Sequence, residues 1–321
     1  MGRTKNKKRV QKKKRRSFLP VLFLIFIILG VILGINIAKN GGGIRGVVAT
    51  LLRQSPKDLE NLETKHVLIL GISKDINANL TDTIMVASYN PNTQKASIIS
   101  ISRDTFVGKN TAYAKATDKL NSIYAQKGIE AVITKVEGIT GLEIEDYVIV
   151  NNNALIEIVN EIGGVEFDVP INMEYDDPTQ DLHIRLDKGL QKIDGQKAEW
   201  LLRFRHNNDG SSYPASYGDN DMGRMKTQRD FIKAALKQTL NFKNIFNVKC
   251  IIDCIYNNVE TSLEKDESSA YITCLTEFST DNLATYVFPG ESKKCNGFWF
   301  VVYDKKEAKE LISNIEDYLE N

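Results

Sequence analysis

Residues 66–72 read HVLILGI, residues 82–89 DTIMVASY and residues 95–102 KASIISIS. Each run has the length of a strand and is apolar at consecutive rather than alternate positions, the pattern of a sheet covered on both faces. Asn90-Pro91-Asn92-Thr93 between the last two runs is a turn sequence, so these runs pair as a hairpin. Further along, helical stretches are expected at 120–126, 129–139 and 153–161, with strands at 147–150 and 165–169. Gly163-Gly164 serves the backbone reversal before the last of these. A helix over 194–205 has Asp194 as its cap. Another covers 222–240, helix-like segments lie at 245–256 and 305–318, and GFWFVVY at 297–303 reads as a strand. Interleaved strands and helices predict an α/β fold, a three-layer α/β/α sandwich with a mixed central sheet.

The charge divides the chain in two. The 321 residues carry 42 Lys and Arg against 41 Asp and Glu, a net of +1. Fourteen of the basic residues and none of the acidic ones lie before Asp58, so the remainder holds 28 against 41, a net of −13. Between the two parts, residues 18–38 contain no charged side chain and one polar one, Asn36. A helix of roughly 20 residues, rising about 1.5 Å each, spans a hydrocarbon core of about 30 Å. Ten Lys or Arg between Arg3 and Arg16 precede the run, and basic flanks stay on the cytoplasmic side. The expectation is one transmembrane helix ahead of the domain, a cytoplasmic N-terminus and an extracellular C-terminal domain at the cell membrane. A cleavable signal peptide would have an apolar region of about 7–15 residues and a small-residue cleavage site. INIAKNGGG at 35–43 fits that poorly.

The organisation expected is a basic tail (1–17), an anchor (18–38), a stalk (39–63), a main domain (64–240) and a C-terminal part (241–321) packed on or extending it. The tail has no aromatic residue before Phe18 and suits topology control and contact with anionic membrane lipids. No nucleic-acid partner is expected, because an exported domain of net −13 repels a polyphosphate. Cys250, Cys254, Cys274 and Cys295 permit three pairings and have no zinc-like spacing. Residues 206–220, HNNDGSSYPASYGDN, are too polar and too rich in Gly and Pro for regular structure. A loop of that length in a compact domain is usually functional.

The chain has no GxSxG, HExxH or Walker loop, and its three histidines are scattered. Arg and Asp gather instead at the ends of apolar elements. Asp82 opens a strand, Arg103-Asp104 closes another, and Arg203 and Arg205 end a helix. Asp219, Asp221, Arg224 and Arg229 flank the start of the next. Guanidinium forks suit phosphate and pyrophosphate oxygens. Aspartates beside them suit Mg²⁺, which shares its shell with substrate phosphates. For any one of these residues a plain surface ion pair is the simpler account; the set gains meaning together.

The segments HVLILGI, TDTIMVASYNPNTQKASIISISRDT, DKLNSIYAQKG, GLEIEDYVIVNNNALIEIVNEIGGVEFDV, DGQKAEWLLRFRHNND and DNDMGRMKTQRDFIKAAL follow in this order over residues 66–240. The chain resembles the LytR-CpsA-Psr family of bacterial cell-envelope proteins. The resemblance implies an extracytoplasmic phosphotransferase that moves an anionic glycopolymer from a polyprenyl-pyrophosphate carrier to peptidoglycan, with Mg²⁺ (or Mn²⁺) as cofactor. It implies that Asp82 is a metal ligand, from (S/T)DT, and that Arg103 is the arginine of SIPRD, with Ser102 in place of the proline. Arg203 and Arg205 match RxR, and Asp221 and Arg224 match DxGR. On this reading Arg103 and Asp221 are catalytic, Arg103, Arg203, Arg205 and Arg224 bind pyrophosphate, and Asp221, or Asp219 near it, takes the acceptor proton.

Three positions depart from the pattern. Ser73 stands where the family has a metal aspartate, with Asp75 two residues on as a displaced second ligand. Leu80 and Thr227 stand where arginines are usual. The departures keep in view a non-catalytic binder of polyprenyl pyrophosphate, and water in place of the sugar hydroxyl would make the protein a pyrophosphatase acting on the same lipid.

Overall fold

The structure is a computed structural model describing residues 19–60, 62–75 and 78–321. The basic tail lies outside the described residues. Helix α1 (Leu19–Lys39) covers the apolar run, and α2 (Gly43–Leu51) follows. The side chains of residues 19–28 are outside those described, and among the described residues no helix is long and apolar enough to cross a membrane.

Strands β1 (Lys65–Asp75), β2 (Ala78–Asn90) and β3 (Lys95–Ile101) form an antiparallel meander. Helices α3 (Leu120–Lys127) and α4 (Ile129–Thr140) carry the chain to β4 (Asp146–Asn151), which lies parallel to β1. After α5 (Asn152–Glu161) come four short strands: β5 (Val165–Val169), β6 (Met173–Asp177), β7 (Leu182–Leu186) and β8 (Gly189–Ile193). They pair outside the main sheet as two ribbons, β5 with β8 and β6 with β7. Next are α6 (Gly195–Arg203), α7 (Asn220–Thr239), α8 (Phe242–Ile245), α9 (Val248–Asn258), β9 (Glu260–Thr261) and α10 (Lys265–Leu275). The chain ends with β10 (Leu283–Val287), β11 (Glu291–Cys295), β12 (Phe298–Val302) and α11 (Lys305–Glu320).

The main sheet runs β10-β3-β2-β1-β4-β9, parallel at β10/β3 and β1/β4 and antiparallel elsewhere. The expected mixed sheet is present, and residues beyond 241 supply both of its edge strands. Its two faces follow from the strand period of two. Leu68, Leu70, Ile84, Val86, Ile99 and Ile101 pack under α3, α4 and α11. Ile69, Met85, Ala87 and Ile98 face the other way, toward α7 and α10. The consecutive apolar residues of the strands therefore serve two cores at once. A third cluster joins α5, α6, α7 and the ribbons.

Part of the segment read as a stalk is docked on the domain. Val48 of α2 is fully buried with Ile245, Val248 and Ile252, and Arg45 pairs with Glu277 at 3.0 Å. The four cysteines are free.

Lys65 bolts the lower end of the sheet. Its Nζ lies 2.8 Å from Asp146 at the start of β4, 2.5 Å from Glu267 on α10 and 3.3 Å from Glu145. Burial is the largest single influence and lowers its proton affinity, but the three carboxylates together outweigh it and raise the lysine above its usual value. This stabilisation is fully present below the unfolded-state value and is lost only as pH rises through the higher folded one. Replacing Lys65 by Met strands the buried Asp146 carboxylate, at a cost of about 3–5 kcal/mol. Urea unfolding of Lys65→Met should report that loss, with the m-value unchanged.

Candidate functional site

The pairing of β2 with β3 places the chemistry. Ile84 stands opposite Ile101, so two residues further out Asp82 meets Arg103 across the same ladder, and Arg103 Nη1 donates to Asp82 Oδ1. From the other side come α6 and α7. α6 is capped by Asp194, whose side chain accepts from Lys197 N at 2.9 Å, and it ends at Arg203. The chain then leaves extended through Phe204, which brings Arg205 beside the sheet. Asp221 lies in the first turn of α7 and Arg224 one turn on.

These residues form one network. Arg205 Nη2 is 3.8 Å from Asp82 Oδ1, and its Nε is 3.5 Å from Asp221 Oδ1. Arg224 Nη2 is 2.8 Å from Asp221 Oδ1 and donates to the Asp82 carbonyl at 3.1 Å. Burial pushes the Arg224 guanidinium down to about 10, opposed by Asp221 and reinforced by Arg205. Arg205 is lowered by burial and then by Arg103. Three guanidiniums thus surround two carboxylates, an excess of one positive charge. Among the described residues, Nε of Arg103 and Nε of Arg224 are buried without a hydrogen-bond partner. Asp221 Oδ1 also accepts none, since its guanidinium neighbours are close but not aligned to donate. Orphaned donors on buried cations are costly unless an acceptor meets them.

Arg203 stands slightly apart. Its Nη1 pairs with Glu199 at 2.8 Å, and its Nη2 donates to Gln180 Oε1 at 2.6 Å. The Asp75 side chain lies outside the described residues, and Asp219 is exposed with no side-chain capping bond. Among the described residues no group of three or more His, Cys, Asp or Glu is placed to hold a metal. The donor set offers Asp82 and Asp221. It fits Mg²⁺ only in the form that this ion often takes, one or two carboxylates completed by water and substrate phosphate oxygens.

The arginines line the mouth of a cavity of about 680 Å³ between the sheet and the α5–α7 layer. Its apolar lining includes Ile69, Met85, Leu155, Leu182, Leu202 and Ile232. Gly71 lines it too, and a Cβ there would sit 2.9 Å from Thr83 Cβ, beside the β-bulge at Gly71/Ile72. Sequence reasoning missed several of the lining residues. Gln228 is buried and donates to Thr83 Oγ1 at 3.0 Å and to the Leu202 carbonyl at 3.1 Å, tying α7 to sheet and α6. Tyr175 and His206 meet edge to face at 5.5 Å on the rim. The alternation in LHIRL at 182–186 was a signal for the ribbon that carries this rim. Leu80 lines the cavity, whereas Thr227 is fully buried with its Oγ1 3.1 Å from Tyr217 Oη.

Fold and site together define a class: an α/β protein with an arginine and aspartate cluster on the wall of a largely apolar cavity. The chain belongs to the LytR_cpsA_psr family, which matches residues 46–317. It is similar to a protein of Oceanobacillus iheyensis named polyisoprenyl-teichoic acid–peptidoglycan teichoic acid transferase TagU. The two are 26% identical over 340 residues, covering 100% of this chain and 99% of that protein. A protein of the same name from Enterococcus faecalis is 28% identical over 251 residues, 77% of each chain. The crystal structure of B. subtilis TagV shares the fold, with a TM-score of 0.66 at 22% identity over 80% of this chain and 97% of that one.

Gly223, between Asp221 and Arg224, has no room for a side chain. A Cβ there would lie 2.3 Å from the Gly218 carbonyl oxygen and 2.3 Å from the Tyr213 ring. Gly223→Ala should force the 206–219 loop off α7 at a cost of about 1–3 kcal/mol. Limited proteolysis should then cut within that loop faster than in the parent protein.

Proposed function

We propose that the protein is a phosphotransferase that moves an anionic glycopolymer from a polyprenyl-pyrophosphate carrier to peptidoglycan. The observation that carries this reading is the placement of guanidiniums with buried, unpartnered Nε groups on the wall of a large, largely apolar cavity. An amphiphile with a pyrophosphate head answers both parts: the head meets the orphaned N–H donors, and the prenyl tail gains about 0.8 kcal/mol for each CH₂ it buries. The family and the names of the relatives give the same reaction.

In the proposed step, a sugar hydroxyl of peptidoglycan attacks the phosphorus that bears the glycopolymer. The bond from that phosphorus to the bridging oxygen breaks, leaving polyprenyl phosphate and a new phosphodiester. Asp221, held by Arg224 at 2.8 Å and Arg205 at 3.5 Å, is the carboxylate that receives the hydroxyl proton. Arg103, Arg205 and Arg224 bind and orient the pyrophosphate, and Arg203 serves at the rim. Pre-placed charges of this kind need no reorganisation when charge moves from one phosphate to the next. Asp82 holds Arg103 and Arg205 in place and is the proposed ligand of Mg²⁺ (or Mn²⁺), with Asp75 as its displaced second ligand. The ion supplies further neutralisation of the phosphate oxygens when bound. We place the domain outside the cell, tethered by residues 18–38 as a single membrane-spanning anchor with a cytoplasmic N-terminus. Residues 64–240 form the catalytic part, and 241–321 complete its sheet.

The test supplies the full chain in detergent with a polyprenyl-pyrophosphate glycan, peptidoglycan fragments and Mg²⁺, and follows products by mass. The expected product is glycan phosphate on peptidoglycan. Arg103→Ala and Asp82→Ala should each lower turnover by about 10²–10³-fold, the usual effect of removing one preorganised charge. Glycan phosphate released to water alone would identify a pyrophosphatase. Binding without any product would identify a carrier-binding protein. Full turnover in Asp221→Asn would remove that residue as the base.

A further inference from the structure

The hairpin of β11 and β12 is stitched to the segment that leaves the site. Phe106 N donates to the Val301 carbonyl and Val301 N to the Asp104 carbonyl, both at 2.9 Å, so β12 lies beside the residues that immediately follow Arg103. One side of β12 is anchored: Phe300 is buried against Phe106, with ring centroids 5.2 Å apart. Successive strand side chains point to opposite faces, so Trp299 points outward and is 62% exposed. Lys294, its cross-strand partner, is exposed on the same face. Phe298 is 43% exposed at the end of the strand. The Asn296-Gly297 turn, with φ of 46° and 88°, has the left-handed backbone of a tight hairpin. Asn296 Nδ2 holds that turn to the Ala114 carbonyl at 3.0 Å, next to Tyr113, which is 76% exposed.

Two exposed aromatic rings thus stand near the segment that follows Arg103, Trp299 on the outward face of the hairpin and Tyr113 on the turn that packs on β11, while Phe298 lies on the opposite face of the strand from Trp299. Lysines accompany them: residues 104–119 and 291–299 carry Lys109, Lys115, Lys119, Lys293 and Lys294 against Asp104, Asp118 and Glu291. This excess is positive in a part of the chain whose overall balance is strongly negative. The rim also lies at the end of the sheet remote from α2. β1 begins at Lys65, on the α10 side where α2 docks, and Arg103 follows the far end of β3, a strand of seven residues or roughly 23 Å.

We propose that Trp299, with Lys294 beside it and Tyr113 on the neighbouring turn, forms the docking surface for the acceptor, an anionic glycan strand of peptidoglycan. The inference rests on the transferase reading above and adds the location of its second substrate. Flat aromatic faces stack on the apolar faces of sugar rings, and the lysines meet the carboxylates that such a strand carries. A membrane surface is the other occupant that Trp and Lys suggest. The position of the rim, at the end opposite the segment leading to α1, favours the glycan.

The test is cosedimentation of the full chain in detergent with purified sacculi, alongside anionic lipid vesicles, and the transfer assay with varied acceptor. Trp299→Ala should weaken sacculus binding about tenfold, near 1.4 kcal/mol, while Trp299→Tyr keeps it. In the assay, Trp299→Ala should raise KM for the acceptor and leave donor binding unchanged. Sacculus binding equal to that of the parent in Trp299→Ala, or transfer with an unchanged acceptor KM, overturns the docking surface while leaving the transferase reading intact. Loss of vesicle binding instead of sacculus binding overturns it in favour of a membrane contact. Sacculus binding lost in Trp299→Ala, with no transfer by the parent protein, supports the docking surface and rejects the transferase reading.

Discussion

Arg205 reaches two carboxylates that belong to different layers of the protein, Asp82 on the sheet at 3.8 Å and Asp221 on α7 at 3.5 Å. With Arg103 and Arg224 on either side, it makes a cluster in which positive charges repel one another and the two aspartates between them supply the compensation. Burial raises the stakes, because a guanidinium removed from water needs acceptors for all its donors. The fold meets most of that need and leaves the Nε groups of Arg103 and Arg224 unmet among the described residues. In the proposed function, an anion of two phosphates, with many acceptor oxygens, completes the arrangement. The strand register, the extended exit from α6 and the glycine that lets the 206–219 loop press on α7 all serve to hold this cluster in one geometry.

The apolar cavity follows from the same layering. The sheet face toward α7 is closed near Met85 and Ile98 by α7 and α10, but toward β1 it opens beneath α5, α6 and the β6–β7 ribbon. Gly71 keeps the wall low where a larger residue would collide with Thr83. Binding energy from a long apolar tail can therefore be gained at a distance from the reacting phosphates, and it positions them without loading the chemical step. Leu80 adds an apolar side chain to this wall.

Much of this was legible in the residues alone. The runs at 66–72, 82–89 and 95–102 became β1, β2 and β3 because local apolar periodicity and a strong turn leave few alternatives. Asp82, Arg103, Arg205, Asp221 and Arg224 do converge, as their positions at element ends suggested. Less visible were features that depend on distant partners. The two-residue strand β9 and the parallel edge strand β10 are defined only by pairing with residues more than a hundred positions away. The β6–β7 ribbon had a readable alternation, yet its short strands and charged residues resemble a loop. α2 has an apolar face whose partners, Ile245, Val248 and Ile252, lie some two hundred residues on, so it read as part of a stalk. Gln228 lay within a segment that carried the family resemblance, but its role was not legible there, because it comes from reaching two other layers.

The central claim is that head and tail are bound together, by arginines and cavity acting on one molecule. Calorimetric titration of the full chain with a polyprenyl pyrophosphate, with inorganic pyrophosphate and with the matching prenyl alcohol tests this most directly. The account predicts that the lipid pyrophosphate binds at least about a hundredfold more tightly than either half, near 2.7 kcal/mol, and that Arg224→Gln removes most of this advantage. Equal affinity for the alcohol and the pyrophosphate, or for the lipid and inorganic pyrophosphate, would contradict it.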